Sequence, residues 1–105
     1  MSDFQLNEWG IDIEVETLID LTGFSNAEVH IDVEKPDGTQ VTWAASILSV
    51  NDADRGGGVL TYTLADGDIA VRGQYKAHAR VTTGSVNLIG AVTRFAVKDL
   101  YSAVR

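Results

Sequence analysis

Cysteine is absent from this 105-residue chain. Disulfide scaffolds, thiolate zinc sites and cysteine nucleophiles are thereby excluded, and the domain must be held by packing alone or by packing plus partners. The absence also fits folding in a reducing cytoplasm. Proline occurs once, and there is no low-complexity tract or internal repeat. No run of about 18 apolar residues exists, which removes a transmembrane helix. The N-terminus, Met1-Ser2-Asp3-Phe4, lacks the basic and apolar regions of a signal peptide. The expectation is a soluble chain that is not exported by the general secretory route.

Basic residues are missing from the first third. Residues 1–34 carry nine acids (Asp3, Glu8, Asp12, Glu14, Glu16, Asp20, Glu28, Asp32 and Glu34) and no Lys or Arg. Residues 35–105 carry six acids and all eight bases, so a net charge of −7 divides into −9 and +2. The total argues against nucleic acid as the main partner, because phosphate binding needs a basic face. Two readings of the segregation stand side by side. Acidic N-terminal strands can pair with basic C-terminal ones inside the fold, or an acidic face can dock on the basic face of a neighbouring copy or partner.

What the chain does contain is an alternation of period two. Ile11, Ile13 and Val15 alternate with Asp12, Glu14 and Glu16, and Val29, Ile31 and Val33 alternate with His30, Asp32 and Glu34. Each pattern marks a strand buried on one face. In Lys35-Pro36-Asp37-Gly38-Thr39, Pro36 presets φ for the first corner and Gly38 can take a left-handed position. Val41, Trp43, Ala45 and Ile47 then resume the alternation, so residues 28–48 read as a hairpin. Ser49 to Gly58 reads as a polar, glycine-dense loop. Leu60, Tyr62 and Leu64 form a further strand closed by Asp66-Gly67-Asp68. Tyr75, Ala77, Ala79 and Val81 face one way, with Lys76, His78 and Arg80 facing the other. Residues 86–98 lose clean phase, which predicts a bulge.

The result is an all-β chain of about seven antiparallel strands in one domain spanning residues 1–105. Residues 1–9 form an N-terminal arm and 99–105 a C-terminal tail, the latter either a short helical turn or a run-on segment. Turn spacing of about 8 to 12 residues predicts a sandwich. Two features point to an immunoglobulin-like one. Trp43 lies mid-strand where such folds place a core indole, and Tyr75 sits two residues before Ala77, just after a turn, in the layout of a tyrosine corner.

Residues suited to catalysis are few. His30 and His78 fall on polar strand faces, where a solvated or cross-strand role outweighs that of a general base. No nucleophile-elbow, zincin or phosphate-loop pattern occurs, and Gly56-Gly57-Gly58 lacks the lysine and helix that a phosphate loop needs. Asn51, Asp52, Asp54, Asp66 and Asp68 could supply oxygens to calcium if two loops converged. Aspartates beside glycines more often serve turns, so no metal and no cofactor is expected.

One ordered series of segments goes further. Asp20-Leu21-Thr22-Gly23, Ala27-Glu28-Val29 and Lys35-Pro36-Asp37-Gly38-Thr39 are followed by Gly58-Val59-Leu60-Thr61-Tyr62, Gly67-Asp68-Ile69 and Gly73-Gln74-Tyr75-Lys76-Ala77. Across residues 10–98 the order resembles the immunoglobulin-like N-terminal domain of the baseplate upper protein of tailed bacteriophages. The resemblance implies a virion structural protein, assembled in the host cytoplasm, that attaches receptor-binding or fibre proteins to a tail or baseplate core. It carries no catalytic residues. Family members continue into linkers and further domains, whereas this sequence stops at Arg105, so a stand-alone adaptor or decoration protein is the expected form.

The reading favoured here is a non-enzymatic, homo-oligomeric adaptor of tail, baseplate or fibre, with other virion proteins as partners and neither nucleic acid nor membrane. Its interface is expected on Asp12, Glu14 and Glu16, on Lys76 and Arg80, and on the loop Asp54, Arg55, Gly56, Gly57 and Gly58. A head decoration protein and a carbohydrate-binding or adhesin-like module are the alternatives; the latter would use Trp9 and Tyr101 as an aromatic platform. A small hydrolase would need His30 or His78.

Overall fold

A computed structural model describes residues 4–98. Eight strands follow in order: β1 (Phe4–Gln5), β2 (Asp12–Glu16), β3 (Val29–Glu34), β4 (Gln40–Ala44), β5 (Ser46–Asp52), β6 (Gly57–Thr63), β7 (Gly73–Thr82) and β8 (Asn87–Lys98). They form two sheets, one of five strands in the order β1-β8-β7-β3-β4 and one of three in the order β2-β6-β5. The alternating residues of β2, β3 and β7 turn their apolar sides inward, and the inner faces meet in one core. Ile13, Val15 and Leu60 from the smaller sheet pack with Ile31, Val33, Ala77 and Ala79 from the larger one. This is the β-sandwich that the period-two pattern predicts.

The tyrosine corner forms. The Tyr75 hydroxyl donates to the Val71 carbonyl at 2.5 Å, and its ring, fully buried, stacks on Phe95 with centroids 5.1 Å apart. Phe4 meets the other side of Phe95 edge-on at 5.5 Å. Burial raises the Tyr75 phenol above its ordinary range, against the lowering effect of the Val71 backbone.

Several expectations need correction. Part of the N-terminal arm is a strand: β1 pairs in parallel with β8, Phe4 opposite Val97, so the sandwich has eight strands and is not wholly antiparallel. The run Val41 to Ile47 is not one strand. The chain changes sheet at Ala45, placing Trp43 in β4 and Ile47 in β5. Trp43 is buried, but β4 is an edge strand, and β3 is the neighbour of the tyrosine-bearing β7. The indole therefore comes from outside the central position reserved for it in immunoglobulin-like cores. It stacks across the core on Tyr62, centroids 4.7 Å apart.

The glycine-dense loop is also shorter than its composition indicates. β5 runs to Asp52, a single 3₁₀ turn covers Ala53–Arg55, and β6 starts at Gly57. Gly57 and Gly58 are buried in β6 and do not belong to the loop. A Cβ on Gly58 would lie 2.3 Å from the Leu21 side chain, so glycine here lets residues 19–21 pack directly on β6. The bulge expected in residues 86–98 is present. The β7–β8 register slips between His78 and Arg80, where β8 carries one extra residue at Gly90 and Ala91. Gly90 approaches the Thr17 backbone too closely for a side chain, with an added Cβ 2.6 Å from the carbonyl oxygen. The tail 99–105 and Tyr101 lie outside the described residues.

Tyr75→Phe keeps the ring and its stacking but strips the Val71 carbonyl of its partner. The expected cost is about 1–3 kcal/mol, seen in urea unfolding as a lower midpoint with an unchanged slope.

Candidate interaction surfaces

Because side chains alternate along each strand, the charged residues of β2 and β7 lie on the two outer faces of the sandwich. Asp12, Glu14 and Glu16 stand on the outside of the smaller sheet, and Lys76, His78 and Arg80 on the outside of the larger. The two strands singled out from sequence therefore point in opposite directions, and no single surface unites them.

On both faces the charges find partners within the fold. Arg55 reaches from the 3₁₀ turn to Glu14 at 2.7 Å and Glu16 at 3.1 Å. These hydrogen bonds raise the guanidinium's pKa beyond its already high value. Asp12 accepts a hydrogen bond from Thr63. On the larger sheet, register places Asp32 directly opposite His78 on one side and Thr42 on the other. The Asp32 carboxylate accepts from Arg80 Nε at 2.9 Å and Nη2 at 3.3 Å and from the Thr42 hydroxyl at 2.8 Å, and it contacts His78 Nε2 at 3.1 Å. Burial pushes the Asp32 carboxyl up, but the Arg80 and Thr42 hydrogen bonds and the nearby positive charge outweigh it, leaving it below the ordinary aspartate value. Lys76 pairs more loosely with Glu34 at 3.8 Å. The intramolecular reading of the charge segregation thus accounts for most of these residues.

Two hollows border these clusters. One, of 530 Å³, spreads over the larger sheet's outer face, with Asp32, Thr42, Lys76, His78 and Arg80 around exposed Val92. The other, of 420 Å³, opens between the sheets on the side where β2 faces β1 and β8. It is lined by Phe4, Ile11, Ile13 and Thr93 with Asp12, Glu14, Glu16 and Arg55 at its mouth. Asp54 is exposed, and its N–H caps onto Asp52 at 3.0 Å; Gly56 is exposed in a left-handed conformation. Gly57 and Gly58 offer no surface, for the packing reason given above.

Sequence reasoning missed the Asp32 hub and the part Phe4 plays in the cleft, because both depend on strand register. The alternation of His30, Asp32 and Glu34 located Asp32 on a polar face but could not name its neighbours. The loop acids serve turn geometry: Asp68 accepts from the Tyr62 hydroxyl at 2.6 Å and from the Ala65 N–H at 2.7 Å. No cluster of three or more metal-ligating side chains occurs among the described residues. Trp9 is 63% exposed, and its proposed companion Tyr101 lies outside the described residues.

Fold and surfaces together define a small two-sheet sandwich that offers charged outer faces and open strand edges. Residues 13–102 match the BppU N-terminal domain, the N-terminal domain of the baseplate upper protein, and the chain belongs to that family of phage baseplate structural domains. No individual curated protein matches it.

Burial and then the Asp68 carboxylate push the Tyr62 phenol up to about 12 from 10.0. In the unfolded chain the phenol ionises near the ordinary value. Stability from this group is therefore fully present below pH 10 and falls as pH rises toward 12. Phenolate absorbance, assigned by difference against Tyr62→Phe, should show the late midpoint.

Proposed function

We propose that this domain is a non-enzymatic attachment module of the virion, joining a tail, baseplate or fibre component to its neighbours. The observation that carries the reading is the family match over residues 13–102, which takes in seven of the eight strands. Attachment asks for faces and edges that other proteins can cover, and the sandwich offers an acidic face and a basic one on opposite sides. Contact between unlike faces is heterologous, and it closes into a ring when the rotation between copies permits. Asp12, Glu14 and Glu16 on one face and Lys76 and Arg80 on the other are the residues assigned to such contacts. Arg55, Asp32 and Glu34 already neutralise part of each, so single contacts are weak and gain strength from repetition in the particle. Exposed Trp9 favours a second reading, glycan binding, which loss of glycan-array signal in Trp9→Ala would support.

Light scattering across a salt series, with the chain alone and mixed with the tail proteins of its particle, tests the proposal. The expected outcome is an assembly that loosens as salt rises and that Asp12, Glu14 and Glu16 reversed to lysine weakens. A monomer at every salt concentration that joins no tail protein would overturn it.

A further inference from the structure

The smaller sheet ends at β2, and the backbone there has a definite polarity. Thr17 donates its N–H to the Gly58 carbonyl, the Ile11 carbonyl accepts from the Leu64 N–H, and the Ile13 carbonyl accepts from the Thr61 hydroxyl. Successive residues of a strand direct their peptide groups to opposite sides. Ile11, Ile13, Val15 and Thr17 therefore bond toward β6, and the N–H and C=O groups of Asp12, Glu14 and Glu16 point to the open side. No strand pairs with that side among the described residues.

The open side is also hollow. The five-stranded sheet reaches past the three-stranded one there, so Phe4 of β1 and Thr93 of β8 face a 420 Å³ cleft where a further strand of the smaller sheet would lie. Its floor includes Phe4, Ile11 and Ile13; its mouth holds three carboxylates against the single guanidinium of Arg55.

We infer that the free edge of β2 receives an extended segment of a partner protein, in which lysine or arginine alternates with apolar residues, as a fourth strand of the smaller sheet. Strand addition uses the peptide groups of Asp12, Glu14 and Glu16 for a ladder and pockets for alternate side chains for selectivity. Residues directly opposite one another share a face at about 4.5–5.5 Å. Those beside Ile11 and Ile13 enter the cleft and must be apolar, while those beside Asp12, Glu14 and Glu16 stand on the outer face and must be basic. A second copy does not meet this requirement. Pairing β2 with β2 sets carboxylate against carboxylate, and the chain's own alternation of Lys76, His78 and Arg80 with Ala77 and Ala79 is locked into the middle of the larger sheet. The carboxylates thus guard an exposed edge against pairing with the same edge of a second copy and leave it open to a basic strand.

This inference rests on the attachment reading and adds a mode to it. The probe is a short capped peptide alternating lysine and valine, added to the full chain and followed by backbone amide shifts and hydrogen exchange. Protection should appear at Asp12, Glu14 and Glu16, with shifts at Phe4 and Thr93. Methylating the peptide's backbone nitrogens on the bonding side should weaken binding by at least about tenfold, the effect of losing a single hydrogen bond. Glu14→Pro, which removes one outward N–H at a position where an edge strand tolerates proline, should weaken it more than Glu14→Gln, which removes only the charge. The methylated peptide keeps the test decisive if Glu14→Pro does not fold. No binding at millimolar peptide, equal binding of a glutamate–valine peptide, or indifference to methylation would each overturn the inference. If Glu14→Pro folds and joins its tail partner undiminished, the strand-addition mode falls while attachment stands. If the peptide docks at β2 but no tail protein binds, the edge stands and attachment falls.

Discussion

The contact between two unequal sheets carries this molecule, because no disulfide cross-links them. Every apolar side chain on the inner faces of β2, β3, β6 and β7 is there to be removed from water, at roughly 25 cal/mol per Å² of apolar surface. Ile31, Val33, Ala77 and Ala79 are the larger sheet's central contribution to this core, all of them buried. The aromatics then lock the layer from two directions: Trp43 stacked on Tyr62 from the β4 edge, and toward the other edge Tyr75 stacked on Phe95, with Phe4 edge-on against Phe95. The tyrosine corner ties the second stack to the chain that leads into β7.

The mismatch of five strands against three follows from where the chain changes sheet. Leaving β4 at Ala45 closes one side of the sandwich with the chain itself. On the other side, β1 and β8 belong to the larger sheet and nothing continues the smaller one beyond β2 among the described residues. A hollow between the sheets and an unpaired backbone edge appear together there because they have one cause. The charged faces have a different origin. They arise from strand alternation, which sends every second residue outward, and register then decides which of these charges neutralise one another. Asp32 is held by residues from two neighbouring strands, whereas Glu14 and Glu16 depend on a side chain delivered by a turn.

Legibility divided along the same line. Strands β2, β3 and β7 could be read residue by residue, since their apolar and polar side chains alternate without interruption and a half-buried strand permits little else. The turn at Lys35 to Thr39 was equally plain: Gly38 takes the left-handed conformation and its N–H bonds back to Lys35. Trp43 and Ile47 were misread as one strand, because alternation continues in phase across Ala45 while the chain passes from one sheet to the other. Gly57 and Gly58 read as part of a polar loop because glycine serves both loops and close packing, and only the approach of Ile19 and Leu21 separates the two. Phe4 gave no periodic signal at all, being in a two-residue strand whose partner lies over ninety positions away.

The amino-acid order by itself determined that this chain folds as strands, which side of each strand is buried, and that no disulfide or thiolate site can exist. These follow from local alternation, turn chemistry and composition, which act within a few residues. Tertiary structure alone decided that the acidic and basic strands face opposite ways, that Arg55, Arg80 and Lys76 pair with Glu14, Glu16, Asp32 and Glu34 within the fold, and that β2 keeps an edge free of any strand among the described residues, beside a hollow. Those outcomes depend on strand order and register, and both are settled by the packing of residues far apart in the chain.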